Sequence, residues 1–299
     1  MKFTKLLVLL LISSGLSAQM AYWEVGIMGG VSNYYGDLTL DYVVPDESHI
    51  AYGGFLKYNF NQYQGIKVDI YSGTISGDDA NSDRANQLVR NLSFTSPVTE
   101  IAVVYEYTIG GYRPVEFKRR AAPYVYAGLA GFHFNPQAYY EGDWYDLQPL
   151  GTEGQGTDYF PYREPYRLYE FAIPFGVGIK FAMTERWNIG LEYSARWTFT
   201  DYLDDVSRTY VNRNLLIEAN GIDAYNLSNR SGEYLVGDPL DFQSNDWRGD
   251  PTNNDWYMFF GVTLSRNLIK GIEEGFRTTN KDILGCPGKK HINKPKKHK

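Results

Sequence analysis

The stretch "WNIGLEYSARW", residues 187–197, alternates without a break. Trp187, Ile189, Leu191, Tyr193, Ala195 and Trp197 form one face, and Asn188, Gly190, Glu192, Ser194 and Arg196 form the other. A period of two makes a strand with two unlike faces. The apolar face begins and ends with tryptophan. At roughly 3.3 Å per residue the stretch spans about 33 Å, and a tilt of about 45° reduces this to about 23 Å. That matches the apolar band of about 25 Å, flanked by aromatic girdles, on a membrane barrel. The apolar face is therefore expected to see lipid, and Glu192 and Arg196 to face an interior.

The same period recurs along the chain. It predicts strands over 21–32, 51–60, 65–76, 97–109, 122–134, 168–181, 187–197 and 255–268. In "APYVYAGLAGFHF" (122–134) both faces are apolar or small, so its register stays open. These runs are longer than the five or six residues of an average soluble strand. Short connections, "NQYQG" (61–65) and "AMTER" (182–186), and a middling one, "GGYRPVEFKRRA" (110–121), alternate with long segments at 32–50, 77–96, 135–167 and 198–254. Alternate short turns and long loops mark an outer-membrane barrel. The expected fold is all-β: an eight-stranded antiparallel up-and-down transmembrane β-barrel with long extracellular loops and a periplasmic C-terminal tail. Within the loops, "DRANQLVRNL" (83–92) and "DYLDDVSRTYV" (201–211) have the spacing of short helices.

The ends of the chain read differently. Lys2 and Lys5, the apolar run Leu6–Ile12 and a small residue at Ala18 form a secretory signal over 1–18. Its removal takes away two lysines and no acids, moving the formal charge from -6 to -8. This mild acidity gives no reason to expect nucleic acid. The barrel is expected over 19–268, and 269–299 as a flexible basic periplasmic tail with six lysines after Cys286. A single cysteine excludes an intramolecular disulfide and leaves a free thiol or a bond to another chain. Tyrosine exceeds phenylalanine, 26 to 16, which suits rings held half in grease and half in water.

The inward positions carry charge: Glu24, Lys57, Lys67, Asp69, Glu100, Glu106, Glu170, Lys180, Glu192 and Arg196. An eight-stranded barrel is just wide enough to be filled by its own side chains. Buried ions must pair, so these residues are expected to form a salt-bridged plug that holds the wall together. Trp23, Trp187, Trp197 and Trp256 are the expected aromatic girdle. No catalytic set emerges: His49 lies in a loop, His133 at the end of a strand, and His291 and His298 in the lysine tail. The pairs Asp78-Asp79 and Asp204-Asp205 read as solvated loop acids. "GTEGQG" (151–156) lacks the ending of a phosphate loop. Neither a metal, a cofactor, an enzymatic activity nor a small-molecule substrate is expected.

Segments spread through the chain carry a resemblance. "NYYGDL" (33–38), "GGFLKYNFN" (53–61), "RNLSFTSPVTE" (90–100), "PYVYAGLAGFHFNP" (123–136), "WYDLQPLGTEGQG" (144–156), "IPFGVGIKF" (173–181), "NDWYMFFGVTLS" (254–265) and the terminal "GCPG" (285–288) resemble the PorG-type outer-membrane barrels of the type IX secretion system. The resemblance does not extend to 208–253 or to the lysine tail. It implies a non-enzymatic component that anchors or stabilises a periplasmic ring built from the PorK lipoprotein and PorN, in a system that also supports gliding motility in some bacteria. Cys286 is the residue placed to contact such a partner. The competing expectations are a surface receptor or adhesin working through the tyrosine-rich loops, and, third, an outer-membrane hydrolase.

Overall fold

A computed structural model describes residues 21–39, 44–112 and 120–268. The expected signal segment over 1–18, Cys286 and the tail expected over 269–299 lie outside the described residues. Five long strands come first: β1 (Tyr22–Tyr35), β2 (His49–Asn59), β3 (Gln64–Asp78), β4 (Ser93–Thr108) and β5 (Ala121–Phe134). A small hairpin follows, β6 (Gln137–Tyr140) and β7 (Asp143–Asp146). Three more long strands complete the set: β8 (Tyr169–Ala182), β9 (Trp187–Thr198) and β10 (Trp256–Leu268). The eight long strands pair antiparallel in chain order, with β5 meeting β8. β10 closes on β1 from Tyr35↔Trp256 to Trp23↔Leu268, so the barrel has no free edge.

Alternation sorts the side chains. Val25 and Ile27 on β1, Ile101 and Val103 on β4, Val177 on β8 and Val262 on β10 are exposed outward. Their neighbours Glu24, Met28, Glu100, Val104 and Thr263 are buried inward. A closed sheet that wears an apolar coat and hides its charges is built for lipid. Among the described residues no helix is long and apolar enough to cross a membrane.

The open register of β5 is resolved by size rather than polarity. Ala122, Tyr124, Tyr126, Ala130, Phe132 and Phe134 point inward and are buried, while Val125 and Leu129 are exposed. Tyr124 and Tyr126 stand opposite Gly178 and Gly176 of β8. A Cβ at Gly178 would sit 2.3 Å from the Tyr124 ring, and one at Gly176 2.6 Å from that of Tyr126. The glycines of β8 therefore make the room that the tyrosines of β5 fill.

One end of the barrel carries the tight turns at 60–63 and 183–186; the other carries long loops. Among the described residues the loops hold five short α-helices: α1 (Ala85–Arg90), α2 (Leu147–Leu150), α3 (Arg213–Asn220), α4 (Ile222–Ser228) and α5 (Ser231–Leu235). α1 falls within 83–92, where the spacing places it. The helix expected over 201–211 does not form. Asp204 Oδ1 accepts from its own chain at Val206 N (2.9 Å), Asp255 Oδ2 takes Leu203 N (2.9 Å), and Asp205 has φ +66°. Side-chain acceptors have displaced the helical ladder. Helix begins instead where Asn212 Oδ1 caps Asn214 N at 3.1 Å. The β6–β7 hairpin was also unmarked: its turn places Glu141 and Gly142 at φ +49° and +102°, with Glu where Asn or Asp is the usual signal.

Candidate functional site

The lumen is packed in three levels of buried charge. At the short-turn end, Glu24 accepts from Lys180 Nζ (2.8 Å) and Ser265 Oγ (2.6 Å), and lies 3.9 Å from Lys57. Lys57 also pairs with Glu106. At mid-height Lys67 Nζ donates to both oxygens of Glu192 (3.1 and 3.2 Å) and lies 3.4 Å from Asp69. Tyr124 and Tyr126 hydroxyls donate to the same Glu192 carboxylate at 2.8 and 2.7 Å. Nearer the long loops, Arg196 clamps Glu100, which also accepts from Tyr257 Oη at 2.7 Å. The Arg196 guanidinium lies 4.4 Å from the centre of the Phe259 ring. One residue of the anticipated set falls outside this arrangement. Glu170 is only half-buried at the mouth, one residue inside the start of β8, and makes no ion pair among the described residues. Inward register alone did not bury it, because the strand ends there.

Above the lumen the long loops are tied into a cap, and its centre is the "GTEGQG" turn. Gly151, Gly154 and Gly156 all have positive φ (57°, 76° and 75°), which folds the turn tightly around Glu153. Glu153 is fully buried. Its Oε1 accepts from Ser207 N (3.0 Å), Arg208 N (3.1 Å) and Arg248 Nη1 (3.1 Å), and Tyr202 Oη donates to Oε2 at 3.2 Å. Arg248 continues to the Asp205 carbonyl (2.5 Å), and the Asp205 carboxylate accepts from Thr152 (2.5 Å) and Tyr166 (2.8 Å). Arg90 at the end of α1 grips both oxygens of Asp79 (2.7 Å each) and donates to the carbonyls of Asp37 (2.9 Å) and Arg248 (2.6 Å). All four long loops meet through these few side chains.

Asp79, Asp204 and Asp205 are thus structural, and the expectation of solvated loop acids is corrected: their exposures are 0, 1 and 0 %. Burial pushes Asp205 and Asp37 up to about 6. Asp204 is raised well above the usual carboxylate range by burial and by the Asp37 carboxylate, and Asp255 by burial and by Asp204; both accept from the Tyr34 hydroxyl, at 2.6 and 3.2 Å. Asp201 is pushed up to about 9, again by burial, which outweighs the Ser207 side chain that lowers it. Among the described residues no group of three or more His, Cys, Asp or Glu is arranged to hold a metal. His133 faces outward with its ring 4.5 Å from that of Tyr169.

The tryptophans lie at two heights. Trp23 and Trp187 sit at the short-turn end, opposite Leu268 and Arg266. Trp197 and Trp256 face one another across β9 and β10 at the long-loop end. Trp256 is the more covered, with its ring edge-on to Phe175 at 5.8 Å.

A closed eight-stranded barrel with an apolar coat, a charge-filled lumen and two heights of tryptophan is an outer-membrane β-barrel protein. More particularly, the chain belongs to the family described as "Domain of unknown function (DUF6089)", whose model matches residues 1–149 and 155–215. Among solved structures it is similar to the N-terminal β-barrel domain of Pseudomonas aeruginosa OprF (12% identity, 83% of this chain and 99% of that one, TM-score 0.35). It is similar also to Ail of Yersinia pestis and to Neisserial surface protein A, each at 8% identity, 83% and 99% coverage and TM-score 0.39. No curated protein matches the chain.

Proposed function

We propose that the chain is a non-enzymatic outer-membrane component of the type IX secretion machinery, of PorG type, that anchors or stabilises a periplasmic ring of PorK and PorN type. The observation that carries this reading is the filled lumen beneath a stitched cap. Among the described residues the lumen is occupied by Glu24, Lys57, Lys67, Glu192, Glu100 and Arg196, which supports a reading in which the barrel works by binding at its ends. The segments from "NYYGDL" to the terminal "GCPG" supply the family-level support. In this reading the tight turns and residues 269–299 face the periplasm, the long loops face outward, and Cys286 with its following lysines meets the ring.

The test is recovery of ring proteins from solubilised membranes, run with and without reductant. The unmodified chain is expected to bring down the ring and to show a slower species without reductant. Cys286→Ala should lose that species and recover less ring. Unchanged recovery would remove the tail from the proposal. A receptor or adhesin is the second reading, favoured by the exposed rings of Trp144, Tyr162 and Tyr234 on the loops. Under it, Trp144→Ala with Tyr162→Ala would abolish surface binding and leave secretion intact.

A further inference from the structure

The row of outward rings at the long-loop end has a cleft above it. Tyr35 of β1, Trp256 of β10 and Trp197 of β9 are successive cross-strand neighbours. Over them the loops leave a cavity of about 850 Å³. One wall is α1 with Arg84 and Asn86 before and within it; the other is the Trp247–Asn254 segment, and Asp37 lies between them. Trp247 is 69% exposed at the rim. The Arg84 guanidinium is exposed and makes no ion pair among the described residues.

This lining selects a ligand with two kinds of surface. An acyl chain would gain nothing from the Asp37, Asn86 and Arg84 wall. Of the three arginines in the lining, Arg90 is taken up by Asp79 and Arg248 by Glu153 and Asp205, so a small anion would have Arg84 against the carboxylates of Asp37 and Asp250. A sugar ring satisfies both sides: its C–H faces stack on indole, and its hydroxyls donate to carboxylates and accept from amide and guanidinium groups. The height matters as well. Trp197 and Trp256 mark the girdle, so a ring on them sits at headgroup level with any attached chains lying down the apolar coat. We propose that this cleft binds a saccharide. The same chemistry is offered by the head of an outer-leaflet glycolipid and by a free oligosaccharide.

The experiment uses the folded chain in micelles of a sugar-free detergent, lauryldimethylamine oxide. It is titrated with lipopolysaccharide and, separately, with the core oligosaccharide freed of its acyl chains. Both are expected to bind. Trp247→Ala and Asn86→Ala, each on an exposed surface, should weaken both by about tenfold, the scale of one lost aromatic contact for the first and of one lost hydrogen bond for the second. Tyr159→Ala, an exposed ring outside the cleft, should change neither. Tighter binding of the lipid-borne form identifies a membrane glycolipid, and equal binding a free glycan; either supports the cleft. Failure of the freed oligosaccharide to bind, or binding indifferent to Trp247→Ala, overturns it.

Discussion

Arg196 pairs its charge with Glu100, the one carboxylate it meets in an ion pair among the described residues. Both side chains are almost wholly buried, and Tyr257 and Ser194 take up what the pair leaves over. Breaking a buried pair on one side strands the other charge, at a cost of about 3–5 kcal/mol, whereas removing both can be close to neutral. Arg196→Met should therefore destabilise the barrel by about that amount, and adding Glu100→Gln should return part of it. Urea unfolding from lipid vesicles measures both; equal stability of the parent and Arg196→Met would show the pair to be idle. That these charges face inward is legible from alternation. Their partners are not: Lys67 meets Glu192 from 125 residues away, a distance set by closure of the sheet rather than by any local pattern.

The loop cap is the element that sequence reasoning missed most. The "GTEGQG" turn looked like a failed phosphate loop, and Asp204-Asp205 like ordinary solvated acids. Their roles depend on Arg248 and Arg90, which lie far off in the chain, and periodicity carries no trace of such contacts. The barrel strands, by contrast, repeat one rule in every segment, so the eight were readable with ends a few residues adrift. The cap should also respond to pH. Asp37, Asp205 and Asp201 hold their protons more tightly when folded than the unfolded chain does at about 4. A group with a raised folded pKa adds stability that is complete below the unfolded value and lost as pH rises through the folded one. The cap should loosen as pH climbs through about 6 and again through about 9. Limited proteolysis of 205–250, normalised to an unfolded peptide, should be faster at about pH 9.5 than at about pH 5.5, and Asp201→Asn should remove the upper step. A flat profile in the parent chain would contradict this.

For the whole molecule, the apolar coat, the ion-paired lumen and the tied cap converge on one property. The paired charges in the lumen predict that the barrel crosses the membrane without opening it, and anchoring is proposed on that ground. Membership of the DUF6089 family is consistent with this architecture and assigns it no task. The most direct test is electrical. The purified chain, folded into a planar lipid bilayer, should give no stepwise conductance under either polarity across neutral pH, and Arg196→Met with Lys67→Met should begin to leak as the plug loses two of its clamps. Stable unitary currents through the unmodified chain would contradict the account at its centre.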